Sequence, residues 1–376
     1  MEIKIPLSSP SISELEIQAV VSVMQSGRLS LGPCMDAFEA RCAELAGRKY
    51  GIAVSSGTSA LHLCVRSLGI GEGDEVITTP FSFIATTNCI LYEHAKPVFV
   101  DIDPVSYNMD PASIEAAITP RTKAILPVEI FGNTAHFDEY ERIARKHGLF
   151  LIEDSSEAIG GFLGDRPAGS FGDCSVFSFY PNKQITTGEG GVIVTNSEET
   201  HNLCLSMRNQ GRDGHYHVRL GYNCRISELS ATMGTMQLKR LDQLLDQRRQ
   251  VARWYQSELC DIPEIRLLEF AEPKTASWFV FVVRLNDSFS EADRDAIHKV
   301  LLQHGIGAAR YFPPIHLQKY IQELLGHNPG DFPICEALCQ RTLALPFHSE
   351  LTLGQVNQTA DVLKSALSEY EPGIPR

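Results

Sequence analysis

The pattern that most restricts this chain lies between Ser13 and about residue 200. There, helical periodicity alternates with short apolar runs at 51–54, 75–78, 97–100, 124–127, 149–152 and 175–178. Such runs read as strands buried on both faces, and strands that recur after each helix pair in parallel, because the crossover brings the chain back to the same end of the sheet. The expectation is an α/β domain with a mostly parallel sheet covered by helices. At 376 residues the chain is longer than the one core of roughly 250–300 residues usually serves, so a second, smaller domain is expected. A helix-rich stretch from 226 to 255, with Leu229, Met233, Met236, Leu238, Leu241 and Leu244 near helical spacing, links the two. Beyond about Pro263 a strand-like run at 278–283, a helical pattern at 292–304 and a last helix at 353–367 suit a compact C-terminal α+β unit. The division expected is 1–250 for the large domain, with a helical N-terminal segment, and 251–376 for the small one, ending in a frayed tail at 371–376.

Charge and composition narrow the function. Lys and Arg number 33 against 46 Asp and Glu, a formal charge of −13. That argues against nonspecific binding to nucleic acid or to an anionic membrane surface. The longest uncharged run, 76–92, has 17 residues and contains Pro80, Ser82, Asn88 and four threonines, short of the about 20 apolar residues of a membrane span. No basic region followed by an apolar run opens the chain, so a cytoplasmic location is expected. The ten cysteines show no C-x-x-C spacing and stand mostly among apolar neighbours, as reduced core thiols do. Cys335 and Cys339, four apart on an expected helix, could share a face but lack further ligands, and no metal site is expected.

Three strand ends carry the residues with chemistry. At the first, Ser55, Ser56, Gly57, Thr58 and Ser59 lead from an apolar strand into a helix whose Leu61, Val65 and Leu68 form one face. Free backbone N–H groups, a positive dipole end and several hydroxyls there are what a phosphate monoester needs; an ordinary Ser/Thr helix cap would look the same. At the second, Glu153 and Asp154 end a strand, at the edge of an open α/β sheet where ligands bind. Asp154 could hold a heteroaromatic nitrogen protonated by a charge-assisted hydrogen bond, or simply cap the next helix. At the third, Lys183 stands alone in an uncharged run that ends in Gly188, Gly190 and Gly191. Such a lysine can serve as an amine nucleophile or Schiff-base partner, and equally it can be a surface lysine. No Walker or G-x-G-x-x-G pattern is present. Taken together, a phosphate cradle, a carboxylate and, 29 residues later, a lysine before a glycine loop are the parts of a pyridoxal phosphate (PLP) site.

The ordered set resembles the sugar aminotransferase family often named for its DegT, DnrJ and StrS members, with the aspartate aminotransferase type of fold. The resemblance spans nearly the whole chain. It is carried by Ser56 to His62, Gly71 to Ile77, Val100 to Asp103, Ile152-Glu153-Asp154, Ser178-Phe179, Thr186 to Gly191, Leu220 to Arg225, Gln237-Leu238 and Pro313 to His316. The resemblance implies that Lys183 forms the Schiff base with PLP and moves the proton, and that Asp154 pairs with the pyridine nitrogen. It also implies that Gly57, Thr58 and Ser178 hold the phosphate and that Phe83 stacks on the ring. Asn223 would reach the phosphate of a neighbouring subunit, so a homodimer with shared active sites is implied. The stretch 207–225 holds Arg208, Arg212, Arg219 and Arg225 against the single Asp213, which suits a diphosphate substrate, the alternative being surface ion pairs. Arg212, Arg225 and His316 are the candidate substrate residues; a loop histidine after two prolines can equally be structural.

Two positions depart from the family pattern. Glu157 stands where many relatives have glutamine, though some relatives resembling perosamine synthases have an acid, and on that resemblance it tilts the expectation toward amination at the sugar's C4. A carboxylate there would repel the phenolic oxygen of PLP unless protonated or paired. Glu129 replaces a histidine two residues before the Phe131-Gly132 step, either altering substrate choice or serving as a buried, paired acid. The dehydratase branch of the family has histidine in place of the lysine, and Lys183 excludes it. The function implied is transfer of an amino group, from L-glutamate by resemblance, to a nucleotide-diphosphate-linked keto-sugar. Competing readings are transamination of a cyclitol or other carbocyclic ketone, and a non-catalytic PLP-binding regulator or partner subunit of the same fold. A dinucleotide dehydrogenase would need the missing glycine fingerprint.

Overall fold

In the computed structural model, which describes residues 2–270 and 276–369, the alternating half of the chain forms a seven-stranded sheet. Its strands are β1 (Tyr50–Val54), β2 (Glu75–Thr78), β3 (Lys96–Phe99), β4 (Thr122–Leu126), β5 (Phe150–Asp154), β6 (Cys174–Ser178) and β7 (Gly191–Thr195). They lie side by side in the order β1-β7-β6-β5-β4-β2-β3. Each apolar run foreseen in the sequence lies on one of the first six, shifted by a residue or two. Strand β7 is the addition: Val192, Ile193 and Val194 are fully buried, and it pairs antiparallel with both β1 and β6 while the others are mutually parallel. Its apolar run follows directly on the glycines of the loop, so the punctuation that reads as a loop also starts a strand.

Both faces of the sheet are covered, and each cover has a clear apolar stripe. Leu61, Cys64 and Val65 of the helix Gly57–Ser67 pack on Ile52, Val54 and Val176 of one face. On the same end of the other face, Met35, Phe38 and Cys42 of the helix Pro33–Leu45 meet Ala53, Phe177 and Val192. Farther along, Phe137, Tyr140 and Ile143 of the helix Phe137–His147 cover Ile77, Ile125 and Leu151. Burying such side chains stabilises the domain by about 1.5–3 kcal/mol each. Among the described residues no helix is long and apolar enough to cross a membrane, and no His, Cys, Asp and Glu group is arranged to hold a metal.

The C-terminal part has its own antiparallel sheet of β8 (Ile265–Leu267), β9 (Phe281–Leu285) and β10 (Thr342–Leu345). Three helices, Glu291–Gln303, Pro333–Arg341 and Leu353–Glu369, pack around it, and their core is Ile297, Leu301, Leu338, Val356 and Leu363 with the sheet's Val283 and Leu343. The 19-residue helix Leu241–Leu259 runs through residue 250 without a break. Near the N-terminus, Ile5 bridges Ile306 and the Lys4 N–H donates to Gly305 O at 2.8 Å, so the start of the chain joins this C-terminal part. The run 278–283 enters the sheet three residues late. Ser277 and Phe279 spend their hydrogen bonds on the large domain, with Phe279 N donating to Phe131 O and Ser277 Oγ to Ile159 O. Cys335 and Cys339 do share a helix face, with their sulfurs 3.8 Å apart, and all ten cysteines are free thiols. The expected frayed tail at 371–376 lies outside the described residues.

Two carboxylates dock helices that lack side-chain caps of their own. Glu228, 1% exposed, accepts from the N–H groups of Gly32, Cys34 and Met35 at 2.9–3.0 Å and so caps the helix Pro33–Leu45 from across the domain. Asp101, just past β3, accepts from Ile334 and Cys335 N–H at 2.9 Å and caps the helix Pro333–Arg341 of the C-terminal part. The helix dipole adds to the charge-assisted bonds in each case. Glu228→Gln turns an amide N–H₂ toward backbone donors, so a loss of about 2–4 kcal/mol is expected, read as a lowered Tm beside an exposed control, Glu14→Gln.

Candidate active site

The carboxyl ends of β1, β5 and β6 open into one cavity of about 490 Å³. After β1 the chain turns at Ser56, whose Oγ accepts from Ser59 N at 3.1 Å and caps the helix that starts at Gly57. A Cβ on Gly57 would fall 2.8 Å from Ser178 Cβ and 2.9 Å from its Oγ. Glycine therefore lets the positive end of this helix approach the end of β6. The result is a cradle of backbone N–H groups and the Ser56, Thr58 and Ser178 hydroxyls, all on the cavity wall.

Asp154 ends β5 at 3% exposure, its Oδ2 accepting from Thr86 Oγ1 at 2.8 Å and its Oδ1 from Ser156 N at 3.2 Å. Two donors hold the carboxylate in place and leave lone pairs toward the cavity. Lys183 follows β6 on a turn closed by its own N–H to Tyr180 O. Its Nζ stands 3.4 Å from Glu157 Oε1 and 4.0 Å from the centre of the Phe279 ring, with the side chain 12% exposed. The amine thus lies in an aromatic, largely dry pocket with one carboxyl beside it.

Glu157 also accepts from Phe131 N at 2.8 Å, which requires Phe131 in the left-handed region at φ 56°. Gly132 next to it packs so tightly that a Cβ would lie 1.8 Å from Ser277 O. Burial pushes the Glu157 carboxyl up, opposed by Lys183 and by the Phe131 N–H. Glu129 differs from all its neighbours. It is fully buried, and neither carboxyl oxygen has a hydrogen-bond partner. Burial pushes it well above the usual carboxylate range, and nearby Glu153 and Asp154 push the same way. Burial thus favours its protonated form, since an isolated buried carboxylate is costly.

Seven residues expected from the sequence, Gly57, Thr58, Phe83, Asp154, Glu157, Ser178 and Lys183, line this one cavity, with Phe83 61% exposed at its mouth. The other four do not line it. Asn223 is exposed beyond the hairpin 212–217, and Arg212 borders a separate cavity of about 610 Å³ with Arg219 and Glu199. Arg225 donates to Asn209 Oδ1 at 2.8 Å. His316 is wholly buried with Nε2 3.0 Å from Glu336 Oε1, and burial lowers its pKa against the pull of Glu336. Several wall and support residues were not foreseen. Thr86 holds Asp154, and the Gln184 amide donates to Glu157 O at 2.5 Å and to the Ser277 Oγ at 2.8 Å. Arg248, fully buried and with its pKa pushed down to about 10 by burial, donates to Lys183 O at 2.9 Å and Phe279 O at 3.0 Å. Its signal was present: it is a charge on the apolar face of a helix, between Leu244 and Val251.

A lysine amine, a fixed carboxylate and a helix N-terminus opened by glycine, set on one edge of an α/β sheet, define a transferase of the aspartate aminotransferase type. The chain belongs to the DegT/DnrJ/EryC1/StrS aminotransferase family, which matches residues 10–364. It is a PLP-dependent aminotransferase. The chain is 36% identical to GDP-perosamine synthase of Caulobacter vibrioides over 97% of this chain and 98% of that one. It is 38% identical to a UDP-N-acetyl-3-dehydro-alpha-D-glucosamine 3-aminotransferase of Acidithiobacillus ferrooxidans over 93% of each. Among solved structures it is similar to Spr1654 of Streptococcus pneumoniae in its PLP form, at 28% identity over 97% of this chain and 99% of that one, TM-score 0.92.

The neutral state of Glu129 has a measurable consequence. The unfolded chain loses that proton near 4.5 while the folded protein keeps it, so stability falls as pH rises above this value, by about 1.4 kcal/mol per unit until the raised pKa is reached. Glu129→Gln keeps the shape and removes the titration. Its Tm is expected to exceed the parent's at pH 7–8 and to converge with it below pH 4.5; a gap independent of pH would mean that Glu129 is ionised in the folded protein.

Proposed function

We propose that the chain transfers an amino group from L-glutamate to the keto carbon of a nucleotide-diphosphate-linked sugar, making an amino sugar. The observation that carries this is the Lys183 amine beside Glu157 in the same 490 Å³ cavity as Asp154 and the Gly57 cradle. Bound there, PLP supplies the electron sink conjugated to the amino group in transit. Backbone N–H groups at Gly57 and Thr58 and the Ser178 hydroxyl hold its phosphate, Asp154 keeps the proton on its ring nitrogen, and Phe83 stacks at the mouth. Lys183 would hold the cofactor through Nζ, and once the donor's amine has taken its place Nζ would be the base that takes the proton from the donor's α-carbon. In the second half-reaction Nζ returns a proton to the sugar carbon. Burial raises the Glu157 carboxyl while Lys183 lowers it, and its pairing with Nζ offsets the repulsion its charge would exert on the cofactor's phenolic oxygen.

The two relatives are named for GDP- and UDP-linked sugars, and both nucleotides belong in the acceptor panel, with C3 and C4 ketones. Asn223, Arg212 and Arg225 are assigned to the site of a second copy in a homodimer. In support, their segment is exposed and carries Tyr216, Val218 and Leu220 at 77%, 53% and 65% exposure, an apolar surface suited to a partner. His316, buried and turned to Glu336, is read as structural. Ten free thiols suit a reducing cytoplasm, and residues 1–250 and 251–376 are assigned to the cofactor-binding and smaller domains, except that the first residues pack on the smaller part and the helix Leu241–Leu259 spans the boundary.

Titration of the purified protein with L-glutamate tests the first half-reaction. A visible cofactor band is expected to give way to an ultraviolet one in the parent, and not in Lys183→Ala. A parent spectrum that glutamate leaves unchanged would sink the donor assignment. Gly57→Ala places a methyl group 2.8 Å from Ser178 Cβ, and PLP affinity is expected to fall about tenfold or more, measured by equilibrium titration with the cofactor.

A further inference from the structure

We propose that Arg310 is the anion anchor shared by both substrates, holding the carboxylate of the amino-acid donor in one half-reaction and the diphosphate of the nucleotide sugar in the other. This rests on the function proposed above. Both substrates are anionic, both enter one cavity in turn, and that cavity already carries Asp154, Glu157 and Glu189 on its wall. Among the described residues of one copy its lining cations are Lys183, whose amine is committed to the chemistry, and Arg310.

The backbone around Arg310 is fixed, and its side chain makes an ion pair at the surface. Ala309 and Ala344 exchange two backbone hydrogen bonds of 3.1 and 2.8 Å, and Thr342 Oγ1 donates to Tyr311 O at 2.8 Å. Phe312 stacks on Phe131 with ring centres 5.7 Å apart, and Ile315 N donates to Pro80 O at 2.9 Å, tying the far end of the segment to the large domain. The side chain is 51% exposed, and its ion pair is with the exposed Asp295 side chain, Nη1 to Oδ2 at 3.0 Å. Such a pair contributes little. Asp295 also takes Arg294 Nε on its other oxygen at 2.6 Å, so the release of Arg310 does not leave that carboxylate unpaired. A planar five-donor fork matches both carboxylate and phosphate bidentately, which a lysine does not. Arg310 and Pro313 also border a neighbouring cavity of about 670 Å³. An anion held at Arg310 therefore has room beyond it for a bulky nucleoside, while a small amino acid leaves that room to water.

The test uses the PLP-loaded protein, whose phosphate cradle is filled, titrated by calorimetry with inorganic pyrophosphate and separately with glutarate, a dicarboxylate without an amino group. The parent is expected to bind both. Arg310→Gln should weaken each by about tenfold to hundredfold, with the cofactor spectrum unchanged. Asp295→Asn, which keeps an acceptor for Arg294 and frees Arg310, should tighten each by about threefold. The proposal is overturned if Arg310→Gln binds both anions as the parent does, if it loses only one of them, if the parent binds neither, or if the variant's cofactor spectrum shifts. None of these readings requires turnover, so a parent that fails to respond to glutamate counts against the proposed function alone.

Discussion

Four carboxyl groups, Glu129, Glu153, Asp154 and Glu157, crowd one end of β5 and the neighbouring loop, and the site depends on how their charges are kept apart. Each is settled by different donors. Glu153 accepts from the N–H groups of Gly169 and Phe171 and from Ser175 Oγ, turning its charge away from the cavity. Asp154 is held by Thr86 and Ser156, Glu157 by Phe131 N–H and the Lys183 amine. Glu129 meets no partner in hydrogen-bond geometry, and burial shifts it toward its neutral form against the pull of Ser155. Of these four, Asp154 is the carboxylate left to face a cationic ring nitrogen, which is what the chemistry needs.

That arrangement depends on the C-terminal part as much as on the sheet. Phe279, on the approach to β9, forms the floor under Lys183, and Ser277 joins Gln184 to the loop beneath Glu157. Arg248 ties the carbonyls of Lys183 and Phe279 together from the helix between the two halves. Asp101 and Pro80 hold the C-terminal part from the other side, through the helix Pro333–Arg341 and Ile315. The cavity is therefore walled by both halves, although its chemically active groups all come from strand ends of one.

The sheet was legible in the sequence because its strands are short, fully buried runs bounded by helices, and so were the groups that meet at its edge, because strand ends place them there by register. Strand β7 was hidden behind Gly190 and Gly191, whose residue type signals a turn wherever it occurs. Thr86, Gln184 and Arg248 escaped notice because their importance lies in which backbone group or carboxylate they touch, and this pairing over 68, 27 and 65 residues of sequence has no local pattern. Glu129 was visible as an unusual residue. The sequence left open whether it alters substrate choice or is a buried, paired acid; that it is buried without a partner in hydrogen-bond geometry is a matter of its surroundings.

The bond from Arg248 to the carbonyl of Lys183 separates that residue's backbone from its side chain. The loop is held by its main chain, by the Tyr180 turn and by the buried guanidinium, none of which involves the amine. Truncating the lysine should therefore leave the chamber's outline intact. Such a protein becomes a passive host in which donor, acceptor and cofactor adducts can accumulate long enough to be crystallised in place.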